Sequence, residues 1–163
     1  MTINAFLDKI DEIDAEKPRY RLGGTGKDGT CDCIGLIVGA MRRADGKWSG
    51  IVGSNWTARY GMQSLSPTKE DNLQPGMLVF KGRKSTAKLP GRYKKGGYCY
   101  NGDLTDYYHV GVVRSVAPLT IVHCTSPTVK HTSNLRGWSY AGFPIFLEIP
   151  APEPATEGDT AHA

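Results

Sequence analysis

The chain has 163 residues, of which 39% are hydrophobic, and its formal net charge at pH 7 is +4. This length suffices for one domain with a core of its own, and no segment approaches the ~18 to 20 apolar residues that a membrane span requires, so we expect no membrane insertion. A charge of this size is common among ordinary domains and does not by itself indicate an acidic partner.

The N-terminal segment predicts an amphipathic helix over residues 3–13. Its apolar residues recur at helical spacing with charged residues opposite, and Lys17-Pro18 ends the pattern. The segment has neither a basic stretch nor a continuous apolar run, so it does not resemble a secretory signal. The apolar positions are Ile3, Phe6, Leu7, Ile10 and Ile13.

A glycine-rich loop over residues 20–29 leads into a second predicted helix, which begins at Cys33 and ends near Arg43. The loop lacks the Gly-Lys-Ser/Thr ending of a phosphate-binding loop. The helix is apolar on nearly all sides, so we expect it to be buried. A thiol at the start of a helix lies near unpaired N–H groups and the positive end of the helix dipole, which favour its thiolate. One of the two cysteines at this junction, Cys31 or Cys33, is therefore a candidate nucleophile.

The second half of the chain predicts strands. After a weak helical pattern over residues 54–63, four strand-like runs follow. A helical front half followed by a stranded back half favours an α+β domain with an antiparallel sheet. The four runs cover residues 77–80, 107–114, 119–125 and 143–149.

Two further segments have biased composition. Residues 81–106 are rich in Lys, Gly and Tyr, and we interpret them as a solvated loop, with binding of an anionic polymer as the alternative. Residues 151–163 begin with a run rich in Pro, Ala and Glu that cannot bury apolar surface, so we expect a disordered tail or linker. The predicted domain therefore covers residues 1–150.

A nucleophilic thiol needs a base, and the base needs an orienting partner, so the histidines are the next candidates. His109 and His123 lie in two consecutive predicted strands, whereas His131 lies in a polar stretch and His162 in the tail. Two histidines on neighbouring strands can orient one another if they share a face.

A hairpin about Val116 would bring the two histidines together. With a three-residue loop, Arg114 faces Pro118 and His109 faces His123, on the face that also carries Gly111. The missing side chain of Gly111 would then let a substrate or the helix that bears Cys33 come close to this face.

Five segments in this order resemble the NlpC-type cell-wall cysteine peptidases, which have a papain-like fold. The match covers roughly residues 18 to 149. The segments are Tyr20-x-x-Gly23-Gly24, Asp32-Cys33-x-Gly35-Leu36, Leu73-Gln74-Pro75-Gly76-x-Leu78-Val79-Phe80, His109-Val110-Gly111 and Val122-His123.

The resemblance implies a Cys-His-His mechanism without a cofactor. Cys33 would be the nucleophile at the start of the central helix, His109 the general base and then acid, and His123 the residue that orients His109. Tyr20 would line the oxyanion region with the Cys33 backbone N–H, and Asp32 would contact the substrate.

The reaction that the resemblance implies is hydrolysis of an amide in peptidoglycan stem peptides, typically between the γ-carboxyl of D-glutamate and a diamino acid. The family usually has Ser after the nucleophile, where this chain has Ile34, and Asp after Pro-Gly, where it has Met77. Ile34 is therefore the position at which we expect substrate specificity to differ. We also expect a monomer that acts at the bacterial cell wall. Because the chain shows no secretory signal, a phage or prophage lysin that is cytoplasmic until its release is the favoured origin, with a phage tail-associated enzyme and a domain of a longer secreted protein as alternatives.

Three alternatives remain open at this stage. Zinc could be held by a set drawn from the cysteines and histidines, because it accepts thiolate and imidazole ligands. A domain of the same fold could act as an acyltransferase or only bind wall fragments. Nucleic-acid binding through residues 81–95 depends on charge alone, so we expect no nucleic-acid partner. The residues considered for zinc are Cys31, Cys33, Cys99, Cys124, His109 and His123.

Overall fold

A computed structural model describes residues 1–149 as three helices and eight strands, with two short 3-10 turns. The predicted tail over residues 151–163 lies outside the described residues. The helices are α1 (Ile3–Ala15), α2 (Cys33–Arg43) and α3 (Ser54–Tyr60). The strands are β1 (Arg19–Tyr20), β2 (Thr30–Cys31), β3 (Ser66–Pro67), β4 (Leu78–Arg83), β5 (Asp106–Val116), β6 (Leu119–Cys124), β7 (Val129–Thr132) and β8 (Tyr140–Gly142).

Six of the strands form one antiparallel sheet in the order β3-β8-β4-β5-β6-β7, and β1 and β2 form a separate parallel pair. The prediction of an α+β domain with an antiparallel sheet is confirmed. Within residues 1–149, none of the helices combines the length and apolar character needed to cross a bilayer.

Helices α1 and α2 form as the apolar spacing predicts. Thr2 caps α1 by accepting a hydrogen bond from the Ala5 N–H at 3.1 Å. The α2 helix is buried on nearly every side, from Ile34 to Met41. Arg43 at its end donates to Glu16, the residue directly after α1, at 2.6 and 2.8 Å, which aligns the two helices.

The central sheet separates two apolar clusters of unequal size. The larger cluster contains α1, α2 and the side chains of Phe80, Val110 and Val122. The smaller one, on the other face, contains Ile121 and Trp138. Because side chains alternate along a strand, His109 and His123 lie on the face of the smaller cluster, opposite to α1 and α2.

The predicted register of the β5–β6 hairpin is wrong by two residues. Its loop has two residues, with Val116 paired to Leu119, and an irregularity between Val113 and Ser115 leaves Val112 opposite Val122. A shift of one residue would move every side chain to the other face, whereas a shift of two keeps the faces unchanged. The two histidines therefore share a face as predicted, although they are not directly opposed.

The predicted strand over residues 143–149 is wrong. The sheet edge is formed instead by the short strand β8, which ends at Gly142. Pro144 cannot donate to a ladder, and its carbonyl and that of Leu147 accept hydrogen bonds from the Gln63 side chain at 2.9 and 2.8 Å. The helix predicted over residues 54–63 is shorter than expected and ends at Tyr60.

The loop between β4 and β5 is packed and not merely solvated. Leu89, Tyr93 and Cys99 form a small buried cluster within it. Arg59 of α3 holds the end of the loop by donating to the carbonyls of Asp103 and Thr105 at 2.6 and 2.8 Å. The lysines of the loop are exposed, so it is solvated on its outer side and anchored by a small core of its own.

Candidate active site

His109 and His123 form a hydrogen-bonded pair. Nε2 of His109 lies 2.8 Å from Nδ1 of His123, and the ring centroids are 5.0 Å apart. The two residues lie on neighbouring strands, where His109 pairs with Lys81 of β4 and His123 pairs with Lys130 of β7. If His109 donates from Nε2, its Nδ1 is left as a proton acceptor, which is the form a general base requires.

Trp138 completes the surroundings of the pair, and sequence reasoning missed it. Its ring stacks on His109 at 5.5 Å with an interplanar angle of 27°, and meets His123 edge to face at 5.2 Å. A Cβ on Gly111 would lie 3.0 Å from this ring and 3.1 Å from the His123 Cβ. Gly111 therefore makes room for Trp138 and His123. It does not make room for α2, so that expectation is corrected.

Both histidines are neutral at pH 7 in this environment. Burial lowers the pKa of His109 to about 4, assisted by His123 and by the positive charge of Lys81. Burial also lowers the pKa of His123 to about 4, again assisted by Lys81. The Nε2 atom of His123 is buried and lacks a hydrogen-bond partner among the described residues, so the pair is closed to water on that side.

Cys33 lies at the start of α2, as predicted, and is the least buried of the four free cysteines. The β5–β6 ladder ends at Val112 and Val122. Beyond that point the backbone N–H of Val110 lies close enough to Cys33 to favour its thiolate. Val110 follows His109 directly, so the thiol meets β5 one residue from the candidate base. Among the hydrogen bonds of residues 1–149, none joins Cys33 to His109.

The ionisation of Cys33 differs from the expectation of a favoured thiolate. Burial and the neighbouring charge of Asp32 raise its pKa to about 11, against the lowering effect of the backbone N–H groups of Val110 and Ile34. The resting protein therefore holds a neutral thiol at Cys33 and a neutral histidine pair. The helix start alone does not decide the state of the thiol, because desolvation has the larger effect.

Asp32 stabilises the junction between the glycine-rich loop and the start of α2. Its carboxylate accepts hydrogen bonds from the N–H of Gly35 at 2.6 Å and from the N–H of Gly23 at 2.7 Å. It thus caps α2 and binds the glycine-rich loop to the helix start, with only 5% of the residue exposed. Both oxygens already have backbone partners, so its predicted contact with substrate gains no support from this geometry.

The glycine-rich loop packs directly on α2 through backbone contacts. A Cβ at Gly35 would overlap with the Gly24 carbonyl oxygen, and one at Gly39 would overlap with the Thr25 carbonyl oxygen. Gly35 and Gly39 lie on one face of the helix because they are four residues apart. Because these two glycines have no side chains, the loop packs directly on the helix. This packing fixes the position at which α2 begins with Cys33.

Two predicted site residues remain, Tyr20 and Ile34. Tyr20 lies near the thiol, whereas Ile34 is buried. Tyr20 is 36% exposed, and burial and then the neighbouring Cys33 raise the pKa of its phenol. Ile34 is only 5% exposed and packs in the larger core cluster. A side chain in that position does not line an open substrate site.

Cys31 and Cys124 are close enough to Cys33 to interact with it electrostatically, but neither reaches solvent. Cys31 and Cys124 are fully buried, and a hydrogen bond to Cys124 together with burial raises the pKa of Cys31. Among residues 1–149, no three side chains of His, Cys, Asp or Glu are grouped so that they could hold a metal ion. The alternative of a zinc site therefore gains no support from the described part of the chain.

No model of a known protein family matches this sequence, and a comparison with curated proteins finds no match either.

Proposed function

We propose that the protein is a cysteine peptidase of the NlpC type, with a papain-like fold, that hydrolyses an amide bond in peptidoglycan stem peptides. The observation that carries this proposal is the contact between Nε2 of His109 and Nδ1 of His123 at 2.8 Å, on the strand that Cys33 meets at Val110. A thiol, a base and a residue that orients the base are the parts that nucleophilic amide hydrolysis needs. The segments that resemble the NlpC-type peptidases contain these same three residues.

In the proposed reaction, the Cys33 sulfur attacks the carbonyl carbon while His109 Nδ1 accepts the thiol proton. Both groups start neutral, because burial and Asp32 raise the pKa of Cys33 to about 11 and burial chiefly lowers that of His109 to about 4, so the proton has to move as the sulfur attacks. His109 then donates the proton to the leaving amine, and a thioester of Cys33 remains. Water, deprotonated by His109, attacks the thioester and releases the acid and the free thiol.

The oxyanion of the tetrahedral intermediate would be stabilised at the start of α2. The Cys33 N–H belongs to the first turn, whose donors have no partner within the helix. Tyr20, beside the thiol, is the candidate for a second donor. Such donors stabilise the transition state because they are already oriented before charge develops.

Digestion of purified peptidoglycan tests the proposal. Soluble fragments identified by mass spectrometry should carry new ends at one amide of the stem peptide. Cys33→Ala should release no fragments. Cys31→Ser is the matched control, because the hydroxyl can still donate to the Asp32 carbonyl as the Cys31 thiol does, and it should keep most of the activity. Equal loss in both variants, or digestion by Cys33→Ala, would contradict the assignment.

A further inference from the structure

Lys81 brings a positive charge to the histidine pair that no carboxylate of the described residues neutralises. Its strand position is directly opposite His109, and no salt bridge within residues 1–149 includes it. Arg83, two residues further along β4, is different, because it pairs with the buried Asp106 at 2.8 Å. Lys81 is thus the cation of this strand that is left without a counter-charge.

The Lys81 side chain is held against Trp138 and does not extend freely into water. Its Nζ lies 4.9 Å from the centre of the Trp138 ring. A Cβ on Gly137 would be only 3.6 to 3.8 Å from the end of the side chain, which shows that the methylene stem packs along this backbone. A half-buried lysine over an indole face retains an orientation that an exposed lysine would lose.

This positive charge works against the proton transfer that the proposed reaction needs. It lies within range of both histidines and opposes the protonation of each, and the reaction requires His109 to hold a proton transiently. A negatively charged group on the substrate would remove this conflict, because it would neutralise Lys81 while the reaction proceeds.

We propose that Lys81 and Trp138 form a subsite for a carboxylate of the substrate close to the scissile amide. The ammonium group would bind the carboxylate, and the indole would provide an apolar wall between that group and His109. This inference rests on the proposed function and adds to it a requirement for an acidic substrate. A charge-assisted contact of this kind is worth roughly 1.5 to 3 kcal/mol, or about a tenfold to hundredfold effect on binding.

Calorimetry with the Cys33→Ala variant tests the subsite without hydrolysis. The probes are the tripeptide L-alanyl-γ-D-glutamyl-L-lysine with both of its α-carboxylates free, and the forms in which one or the other is an amide. One of the two amides should bind at least tenfold more weakly than the free acid. In a Cys33→Ala/Lys81→Gln variant this difference should disappear, and with Lys81→Arg it should return.

Lys84→Gln in the same background is the matched control, because it removes the same charge from an exposed residue just beyond β4, and it should keep the full preference. A preference that persists in Lys81→Gln would overturn the subsite, as would equal binding of all three peptides. Digestion of peptidoglycan by the unmodified protein separates the two proposals. If the wall is cut but carboxylates have no effect on binding, only the subsite is wrong, whereas absence of both cutting and binding contradicts the proposed function as well.

Discussion

Asp32 caps the helix that begins at Cys33, and after burial its charge is the main reason that the pKa of the Cys33 thiol rises to about 11. One carboxylate therefore fixes the position of the nucleophile and opposes its ionisation. Under the proposed mechanism the thiol proton has to be removed during the reaction, so the protonation state of His109 becomes decisive.

The alkylation rate of Cys33 should increase with pH across the neutral range and reach half of its maximum only near pH 11. The thiolate reacts with iodoacetamide, and with a pKa of about 11 it is a minor species at pH 7. Intact-protein mass spectrometry at a series of pH values measures the rate, and Cys33→Ser identifies the reacting residue. A rate that is already constant between pH 5 and 8 would show a stable thiolate–imidazolium pair instead.

Asp32→Asn should separate the two effects of the carboxylate. The amide can still accept from the Gly35 N–H, but its NH2 group faces the Gly23 N–H, so we expect a loss of about 1 to 3 kcal/mol in the free energy of unfolding. Removal of the charge should also move the inflection in the alkylation rate of Cys33 to lower pH.

Urea unfolding and the alkylation series measure these two changes. Asp28→Asn is the control, because Asp28 lies in the same loop, where its carboxylate accepts from the Thr30 hydroxyl at 2.6 Å. An inflection that does not move in Asp32→Asn would contradict the electrostatic role of Asp32.

The histidine pair should make the protein less stable as the pH falls from about 6.5 toward 4. In the unfolded chain a histidine binds a proton with a pKa near 6.5, whereas burial holds the pKa of His109 and His123 at about 4 in the folded protein. The unfolded state therefore takes up more protons in this range. Each histidine contributes up to about 3 kcal/mol that is fully present above pH 6.5 and lost on acidification.

Denaturant unfolding at pH 7 and pH 4.5 tests this linkage. The His123→Gln variant should show a smaller difference between the two pH values than the unmodified protein. The same pH dependence in both proteins would mean that the pair does not cause it.

Gly35→Ala should destabilise the protein, although alanine is normally the better residue inside a helix by about 1 kcal/mol. Its Cβ would overlap with the carbonyl oxygen of Gly24, so the loop would have to move away from the helix start. We expect a loss of roughly 3 kcal/mol or more and loss of Cys33 function. Thermal unfolding measures the effect. Gly91→Ala, where a Cβ meets nothing within 4 Å, should be close to neutral, and similar melting temperatures for the two variants would argue against the clash.

Strong periodic patterns predict much of this fold. The spacing of apolar residues predicts α1 and α2 almost to their ends, and strand alternation correctly places His109 and His123 on one face even though the hairpin register is wrong. The shared face is predicted correctly despite the register error of two residues, because side-chain direction repeats every two residues. The strand predicted over residues 143–149 fails because Pro144 interrupts a run whose composition otherwise favours a strand.

The site is less predictable because its chemistry depends on contacts between distant segments. Trp138 lies in a loop without any repeating pattern, and nothing in its sequence neighbourhood indicates that it stacks on His109. The pKa of Cys33 follows from how deeply α2 is buried and from the charge of Asp32, whereas a helix-start argument considers only the local dipole.

The ladder between β5 and β6 ends at Val112 and Val122, and this end links Cys33 to the backbone of the central sheet. Beyond this pair the sulfur of Cys33 is a neighbour of the Val110 N–H. A thiol, a thiolate and a thioester differ in how well they accept a hydrogen bond. Under the proposed mechanism, each turnover would therefore change the hydrogen bonding of a backbone amide in the central sheet, according to whether Cys33 is free or acylated.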